Sequence, residues 1–283
     1  MILVTGATGH VGSELVAQLA SGGHTLRAMT RRPQAARLPD TVEVVAGDFD
    51  DGASLDAALR GVDRVFSMSA QAVGAAAAPT HDLAFLSACR RAGVQRIVRL
   101  SVQGGGGADA RDPIVRWIAE IEGAVQGSGA AWTLLRPGRF MSNALAWIPM
   151  IRRGDDVQVP FATRRAASID PADIAAVAAL ALTEDGHAGA TYELSGPESL
   201  TPVDEIRALG QLLGRPLRPV AMSAEATRDA MLRHGMPAAV VDAALAQTES
   251  DRGTAVLPTV GQLLGRPARS FARWAESHRD AFT

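Results

Sequence analysis

The residues best suited to chemistry open the chain, where an apolar run leads straight into a glycine-rich loop. The stretch Val4-Thr-Gly-Ala-Thr-Gly-His-Val-Gly12 places glycines at positions 6, 9 and 12. Between a buried strand and a helix, such glycines permit a tight turn, close approach of a diphosphate and close helix packing. The free amides at the helix start also favour an anion. We therefore predict that this loop binds a dinucleotide through Gly6, Thr8, Gly9, His10, Val11 and Gly12. A glycine-rich turn without a ligand is the alternative interpretation.

Two arginines end the second predicted strand, in the stretch Thr30-Arg31-Arg32-Pro33. An acidic residue at this strand end would bind the ribose 2′-hydroxyl of NAD. A guanidinium can instead bind a 2′-phosphate. The sequence therefore predicts NADP(H) as the cofactor, with Arg31 as the first contact and Arg32 as the second. Two solvated surface arginines are the alternative interpretation.

Further polar residues follow later strands, at the edge where an open parallel sheet binds its ligands. Asp48 is expected to accept a hydrogen bond from the adenine amino group while Phe49 packs on the ring; an aspartate that only forms a turn is the alternative. Ser67 and Ser69 end the fourth strand, and Ser101 ends the fifth. We expect their hydroxyls to reach ribose or nicotinamide, unless they only cap helices and turns.

Alternating strands and helices position these residues. Apolar runs predict strands at 1–5, 26–30, 42–46, 62–68, 96–101 and 132–135, with helices between them. This order predicts an α/β fold, a Rossmann-type doubly wound parallel sheet. Past residue 140 the pattern loosens into short helices and strands, the strands near 157–159, 190–194 and 217–220. We place a Rossmann dinucleotide-binding domain at 1–150 and a smaller α+β C-terminal substrate or lid lobe, interleaved with the core, at 151–283.

Composition excludes several classes of function. All 28 basic residues are arginine, which excludes a Schiff-base lysine and the Tyr-Lys dyad of ordinary short-chain dehydrogenases. The net charge of −2 gives no reason to expect nucleic acid or an anionic membrane as a partner. Cys89, the single cysteine, is expected to be packed and inert, and the six scattered histidines predict no metal site. Without a signal peptide or a membrane-length apolar run, we expect a cytoplasmic protein.

The sequence resembles the NmrA-like, atypical short-chain dehydrogenase/reductase group over nearly its whole length. It is most similar to the bacterial branch with NADPH-dependent quinone oxidoreductases and triphenylmethane reductase. The stretches that carry the resemblance are Val4–Gly9, Gly12, Arg31, Gly47-Asp48, Ser128-Gly129, Trp132–Gly138, Phe140–Asn143, Tyr192–Gly196 and Leu264–Pro267. The resemblance implies a Rossmann core that binds NADP(H) and a C-terminal lobe that roofs a substrate cleft.

The resemblance also implies where the cofactor and the substrate meet. Pro137 and Gly138 would lie at the nicotinamide, and Phe140 and Asn143 would line the substrate pocket, with helix-start packing and capping as their alternative roles. Reductases of this branch often carry His or Lys four residues before a glutamate, on the helix that precedes the sixth predicted strand. If that glutamate is Glu122, the basic position holds Ile118. The sequence therefore assigns no catalytic residue; Ser101, Phe140 and Asn143 are the substrate-pocket candidates.

Two functions are compatible with these residues. The first is an NADP(H)-dependent oxidoreductase that transfers hydride to a small hydrophobic electrophile: a quinone, a conjugated enone or an imine. Secondary metabolism is a possible setting for this reaction. Hydride transfer depends mainly on placement of the cofactor, so a missing general acid slows it without preventing it. The second is a non-catalytic, NADP(H)-sensing regulator that acts through a protein partner. The Gly104–Gly107 run is interpreted as a lid or a surface loop, and a homodimer is compatible with the C-terminal helices.

Overall fold

The computed structural model describes residues 1–69, 71, 78–106, 113–246 and 253–283. Contacts divide the chain into two compact units, each built from two segments. The first unit comprises Met1–Pro137 and Ile174–Glu193, and the second comprises Gly138–Asp173 and Leu194–Thr283. This division differs from the single boundary predicted at residue 150, because the chain leaves the first unit after Pro137 and later returns to it.

Strands and helices alternate through the first half of the described chain. The strands are β1 (Ile2–Val4), β2 (Leu26–Thr30), β3 (Glu43–Ala46), β4 (Arg64–Ser67), β5 (Arg96–Leu100), β6 (Ala131–Pro137), β7 (Asp156–Val159), β8 (Ala190–Leu194) and β9 (Arg218–Ala221). The α-helices are α1 (His10–Ser21), α2 (Gly52–Ala58), α3 (Thr80–Ala92), α4 (Pro113–Gln126), α5 (Ile148–Ile151), α6 (Pro171–Thr183), α7 (Pro202–Leu213), α8 (Ala224–Arg233), α9 (Ala238–Ala246), α10 (Thr259–Leu264), α11 (Phe271–Ser277) and α12 (Arg279–Phe282).

The main sheet has the strand order β3-β2-β1-β4-β5-β6-β8. Each neighbouring pair from β3 through β6 is parallel. The chain therefore builds outward from β1 in one direction and then restarts from β1 in the other, which is the doubly wound Rossmann arrangement that the sequence predicts. In such sheets the ligand binds at the carboxyl ends of the strands, where this reversal opens a crevice. Here the reversal lies between the strands β1 and β4.

The core of the first unit follows from its apolar strands. Leu3, Val65, Ile97 and Leu134, on four adjacent strands, are each at most 1% exposed and belong to one hydrophobic cluster. Near-continuous apolar runs of this kind are typical of parallel strands that are covered on both faces. A rigid sheet therefore supports the loops at its carboxyl edge.

The sequence places residues 190–194 in the C-terminal lobe, and the structure corrects this prediction. These residues form strand β8, which lies next to β6 as the seventh strand of the main sheet. Polar contacts attach the preceding segment to the first unit. Arg96 donates to the carbonyl of Leu182 at 3.2 Å and to Asp185 at 2.7 Å. The hydroxyl of Thr133 donates to the carbonyl of His187 at 2.8 Å.

The second unit has a hydrophobic core of its own. Its two-stranded sheet pairs β7 with β9 in parallel. Around that sheet, Trp147, Ile206 and Trp274 are each at most 5% exposed and share one cluster. Helices with a small sheet agree with the α+β character predicted for the C-terminal lobe.

Candidate functional site

The glycine loop has a geometry that larger residues would disrupt at two points. Gly6 has a φ of +60°, and a Cβ there would lie 2.6 Å from Sδ of Met68. A Cβ on Gly12 would lie 2.7 Å from the carbonyl carbon of Gly6 and 2.9 Å from Cα of Ala7, and closer still to the Gly6 oxygen. Both contacts are tighter than a side chain tolerates, so these glycines bring the start of α1 directly against the end of β1.

The start of α1 leaves amides available for an anion. Its first intrahelical bond runs from the Ser13 amide to the Gly9 carbonyl at 2.9 Å, so the amides of residues 10–12 precede it. Gly9 occupies the N-cap without a side chain to accept from them, and the first turn holds no acidic residue. Thr8, Gly9 and His10 are exposed. This loop therefore fits the diphosphate of a dinucleotide.

The two arginines after β2 have the charge and freedom that a 2′-phosphate requires. Arg31 and Arg32 are both exposed, and within the described ranges neither forms an ion pair. The amide of Arg32 donates to the Thr30 hydroxyl at 3.3 Å, which fixes the turn and leaves the guanidinium free. Because β2 pairs with β1, this turn and the glycine loop follow adjacent strands at the same edge of the sheet.

Asp48 and Phe49 follow β3 but are partly occupied by local contacts. Oδ1 of Asp48 accepts from the amide of Asp50 at 3.1 Å, which is the turn-forming role that the sequence left open. The Phe49 ring stacks on His81 with a centroid separation of 5.7 Å and meets Phe85 edge-on at 5.6 Å. An adenine contact therefore requires the second Asp48 oxygen and the remaining surface of Phe49.

The serines that follow β4 join a buried ion pair. Oγ of Ser69 donates to Oδ2 of Asp82 on α3 at 2.6 Å. The other oxygen of Asp82 accepts from Arg99 on β5. Oγ of Ser67 lies 3.5 Å from the same arginine nitrogen. Ser67, Asp82 and Arg99 are 2%, 2% and 6% exposed, so Ser67 is directed into this pair while Ser69 is the more accessible hydroxyl.

Ser101, after β5, takes part in a second arrangement of the same kind. Its Oγ donates to Oε1 of Glu122 on α4 at 2.5 Å. Arg136 on β6 binds both carboxylate oxygens of Glu122, at 2.9 Å through Nε and at 2.6 Å through Nη2. Hydrogen bonding to Glu122 raises the pKa of Arg136. Glu122 therefore has its cation on the next strand.

These two acids and two arginines were not identified as site residues from the sequence. A signal for them exists, because Arg99 interrupts the apolar strand Arg96-Ile-Val-Arg-Leu100 and Glu122 lies beside the buried Ile121. Charged residues are rarely buried unless they are paired. Burial lowers the pKa of Arg99, and the charge of Asp82 opposes that shift.

The glycine run after Ser101 lies against the Glu122–Arg136 pair. A Cβ on Gly105 would be 2.7 Å from Oε1 of Glu122, and one on Gly106 would collide with the Arg136 guanidinium. Gly106 also has a φ of +70°. The backbone at these positions therefore covers the ion pair directly; Gly107 lies outside the described residues.

Pro137 ends β6, and the other residues predicted near the substrate belong to the second unit. The amide of Gly138 donates to the Leu194 carbonyl at 3.0 Å. Phe140 is half-buried and forms an isolated bridge with Ile169, and Asn143 is exposed. The hydroxyl of the single tyrosine, Tyr192, lies 2.8 Å from Nδ1 of His187.

Cys89 gives a direct test of packing in the first unit. It is 1% exposed, and burial raises the pKa of its thiol to about 12. Because the thiolate is the reactive form, we expect no modification by a disulfide reagent at pH 8 in the native protein and one equivalent after denaturation. Rapid modification of the native protein, measured by release of the reagent chromophore, would show that α3 is not packed as described.

Neither a metal-binding cluster nor a membrane-spanning helix is present among the residues that the structure describes. No cluster of three or more His, Cys, Asp or Glu side chains is arranged to hold a metal ion there. None of the helices found there combines the length and apolarity needed to cross a membrane.

Comparison with known proteins agrees with this geometry. A family model described as NAD(P)H-binding matches residues 6–185, well over half of the chain. A relative from Streptomyces griseus, named (4-alkanoyl-5-oxo-2,5-dihydrofuran-3-yl)methyl phosphate reductase, is 43% identical and covers 100% of this chain and 99% of its own. The NAD(P)H azoreductase of Xenophilus azovorans is 38% identical with the same two coverages.

A solved structure supports the same assignment. NADPH-dependent quinone oxidoreductase from Escherichia coli, complexed with NADPH, superimposes with a TM-score of 0.80 at 27% identity, over 99% of this chain and 100% of that one. These relatives confirm the predicted fold, the predicted NADP(H) cofactor and the reductase class. The chain belongs to the NAD(P)H-binding family, in its NmrA-like atypical short-chain dehydrogenase/reductase branch, and is an NADP(H)-dependent reductase.

Proposed function

We propose that this reductase transfers hydride to the polarised double bond of a small hydrophobic electrophile, with a conjugated enone as the first candidate and quinones and imines as related acceptors. One observation carries the proposal. At the sheet edge that holds the glycine loop, Ser69 and Ser101 are bonded to acids that already form ion pairs with arginines. An acceptor that is electron-poor by itself needs little help from a general acid.

The name of the Streptomyces griseus relative supports the choice of acceptor. It describes a 5-oxo-2,5-dihydrofuran that carries an alkanoyl group on its ring. The ring double bond of such a compound is conjugated with carbonyl groups and is polarised for hydride addition. Because the relative is 43% identical over the whole of this chain, we propose that this protein reduces a related conjugated alkene.

Residues of the first unit carry the cofactor half of the proposed reaction. When bound, NADPH supplies the hydride. The amides of residues 10–12 would hold its diphosphate, Arg31 and Arg32 would hold its 2′-phosphate, and Asp48 would contact its adenine. The carboxylates of Asp82 and Glu122 are each paired with an arginine, so we propose that the product takes its proton from solvent. Phe140 and Asn143 are proposed to contact the substrate.

A substrate panel tests the proposal. We expect NADPH consumption with an acylated butenolide phosphate and with a quinone, and none with an unconjugated ketone of similar size. With 4-deuterated NADPH, deuterium should appear on the alkene carbon β to the carbonyl. Tight NADPH binding without turnover across the panel would contradict the proposal and favour the regulatory alternative, in which the cofactor is sensed.

Arg31 provides a test of cofactor choice. Replacing Arg31 by alanine removes a charge-assisted contact to the 2′-phosphate, so we expect NADPH affinity to fall roughly 10- to 100-fold while NADH affinity is unchanged. Fluorescence titration of both cofactors measures this, and Arg37→Ala, a surface arginine further along the chain, serves as the matched control. Equal losses for NADH and NADPH would show that Arg31 does not read the phosphate.

A further inference from the structure

The two strand-end serines of the site share one arrangement, repeated in successive βαβ units. In the first, Ser69 after β4 donates to Asp82 on α3, which pairs with Arg99 on β5. In the second, Ser101 after β5 donates to Glu122 on α4, which pairs with Arg136 on β6. We name these the first and second serine–acid–arginine triads.

The chemistry of each triad fixes the direction of its serine hydrogen bond. A carboxylate has only acceptor oxygens, and an arginine has only donors. Both oxygens of Glu122 accept from Arg136. The hydrogen bond of 2.5 Å between Ser101 and Glu122 therefore uses the serine proton. In the first triad Arg99 binds one oxygen of Asp82, and the Ser69 hydroxyl donates to the other oxygen at 2.6 Å.

Burial keeps the proton of Ser101 in its bond, because Ser101 and Glu122 are 5% and 3% exposed and little water competes for them. In the first triad the acceptor Asp82 is 2% exposed, whereas Ser69 is half-buried. A hydrogen bond to a charged acceptor is also roughly twice as strong as a neutral one. Gly105 and Gly106 bring the backbone directly over the second triad. Each hydroxyl is thereby left with oxygen lone pairs alone to offer a ligand.

We infer that Ser69 and Ser101 act toward a ligand only as hydrogen-bond acceptors and that the donors they accept from lie on the nicotinamide riboside half of NADPH, its ribose hydroxyls and carboxamide N–H groups. A substrate carbonyl offers no proton and would not be bound by either hydroxyl. The acids and arginines are positioning residues that act through the serines. This inference rests on NADPH binding at the proposed cradle and not on the proposed electrophile.

Direct binding to two probes tests the inference. NADPH carries the nicotinamide riboside, whereas adenosine 2′,5′-bisphosphate lacks it but keeps the adenine and the 2′-phosphate. For Ser69→Ala and Ser101→Ala we expect NADPH affinity to fall about 3- to 10-fold, the effect of one hydrogen bond. Affinity for the bisphosphate should stay within about twofold of the unsubstituted protein.

A matched control removes a different buried hydroxyl. Thr133→Val deletes a hydroxyl that is bonded to the carbonyl of His187, and it should leave both affinities unchanged. The inference is overturned if Ser101→Ala keeps NADPH affinity but loses turnover, because the hydroxyl would then serve the substrate. Equal losses for both probes would overturn it too, since they indicate a distorted fold. Failure of the unsubstituted protein to bind NADPH would instead refute the proposed function.

A second variant tests the direction of the hydrogen bond. In Glu122→Gln the amide can donate to Ser101, which occupies one lone pair of the serine oxygen and frees the serine proton to donate elsewhere. We expect NADPH affinity to fall as much as in Ser101→Ala, and the double variant to match the single ones, because coupled residues are not additive. Additive losses in the double variant would overturn the role of Glu122. Thermal melts of each variant confirm that the compared proteins are folded.

Discussion

Replacement of Gly12 by alanine is expected to reduce NADPH affinity by at least about 100-fold, the largest loss that any single methyl group would cause here. The new Cβ would lie 2.7 Å from the Gly6 carbonyl carbon and 2.9 Å from Cα of Ala7. The atoms in this overlap belong to the backbone, so backbone must move to relieve it. The amides of residues 10–12 would then no longer converge on the diphosphate, and overpacking would cost about 1–3 kcal/mol of stability.

Gly123 is the matched control for this substitution. It also lies within an α-helix, but a Cβ there would meet nothing within 4 Å. Gly123→Ala should keep NADPH affinity and stabilise the protein by about 0.5–1 kcal/mol, because alanine loses less backbone entropy in a helix. Isothermal titration with NADPH and urea unfolding measure both effects. Normal NADPH affinity in Gly12→Ala would refute the described approach of α1 to β1.

The substitution Asp82→Asn is expected to lower the free energy of unfolding by about 3–5 kcal/mol, because it leaves a buried arginine without its counter-ion. Asp82 and Arg99 are 2% and 6% exposed, and Nε of Arg99 has no partner in the described part of the structure. The carboxamide oxygen of asparagine can still accept from the guanidinium, but the negative charge that neutralises it is lost, and the contact of 3.5 Å with Ser67 supplies no charge. Urea denaturation of the variant measures the loss.

The Arg91–Asp56 pair provides the same substitution on the surface. Both side chains are 54% exposed, so Asp56→Asn should change the free energy of unfolding by no more than about 0.5 kcal/mol. Comparable effects of the two substitutions would show that the Asp82–Arg99 pair is solvated and that the first triad is not buried.

Local signals in the sequence predict the elements that surround the proposed cofactor loop. The loop with glycines at 6, 9 and 12 lies between β1 and α1, and Arg31 follows β2, because both depend on residues that are close together in the chain. Strands predicted from apolar runs differ from the observed strands by at most two residues at their ends. Such ends depend on capping and pairing more than on composition.

Features that depend on distant residues were not predicted. Strand β8 joins the main sheet beside β6, although more than 50 residues separate them. Past residue 140, where the sequence pattern loosens, a 3₁₀ helix, Met141–Trp147, leads into α5. The serine–acid–arginine triads join three elements each, so no sequence spacing identifies them. A charged residue in an apolar strand, such as Arg99, is the one local sign of such a network.

A crystal structure of the complex with NADPH would show directly where the cofactor binds. We expect diphosphate oxygens within hydrogen-bonding distance of the amides of residues 10–12 and the 2′-phosphate on the guanidinium of Arg31. A cofactor whose diphosphate lies away from the start of α1, or whose 2′-phosphate contacts neither Arg31 nor Arg32, would contradict this expectation.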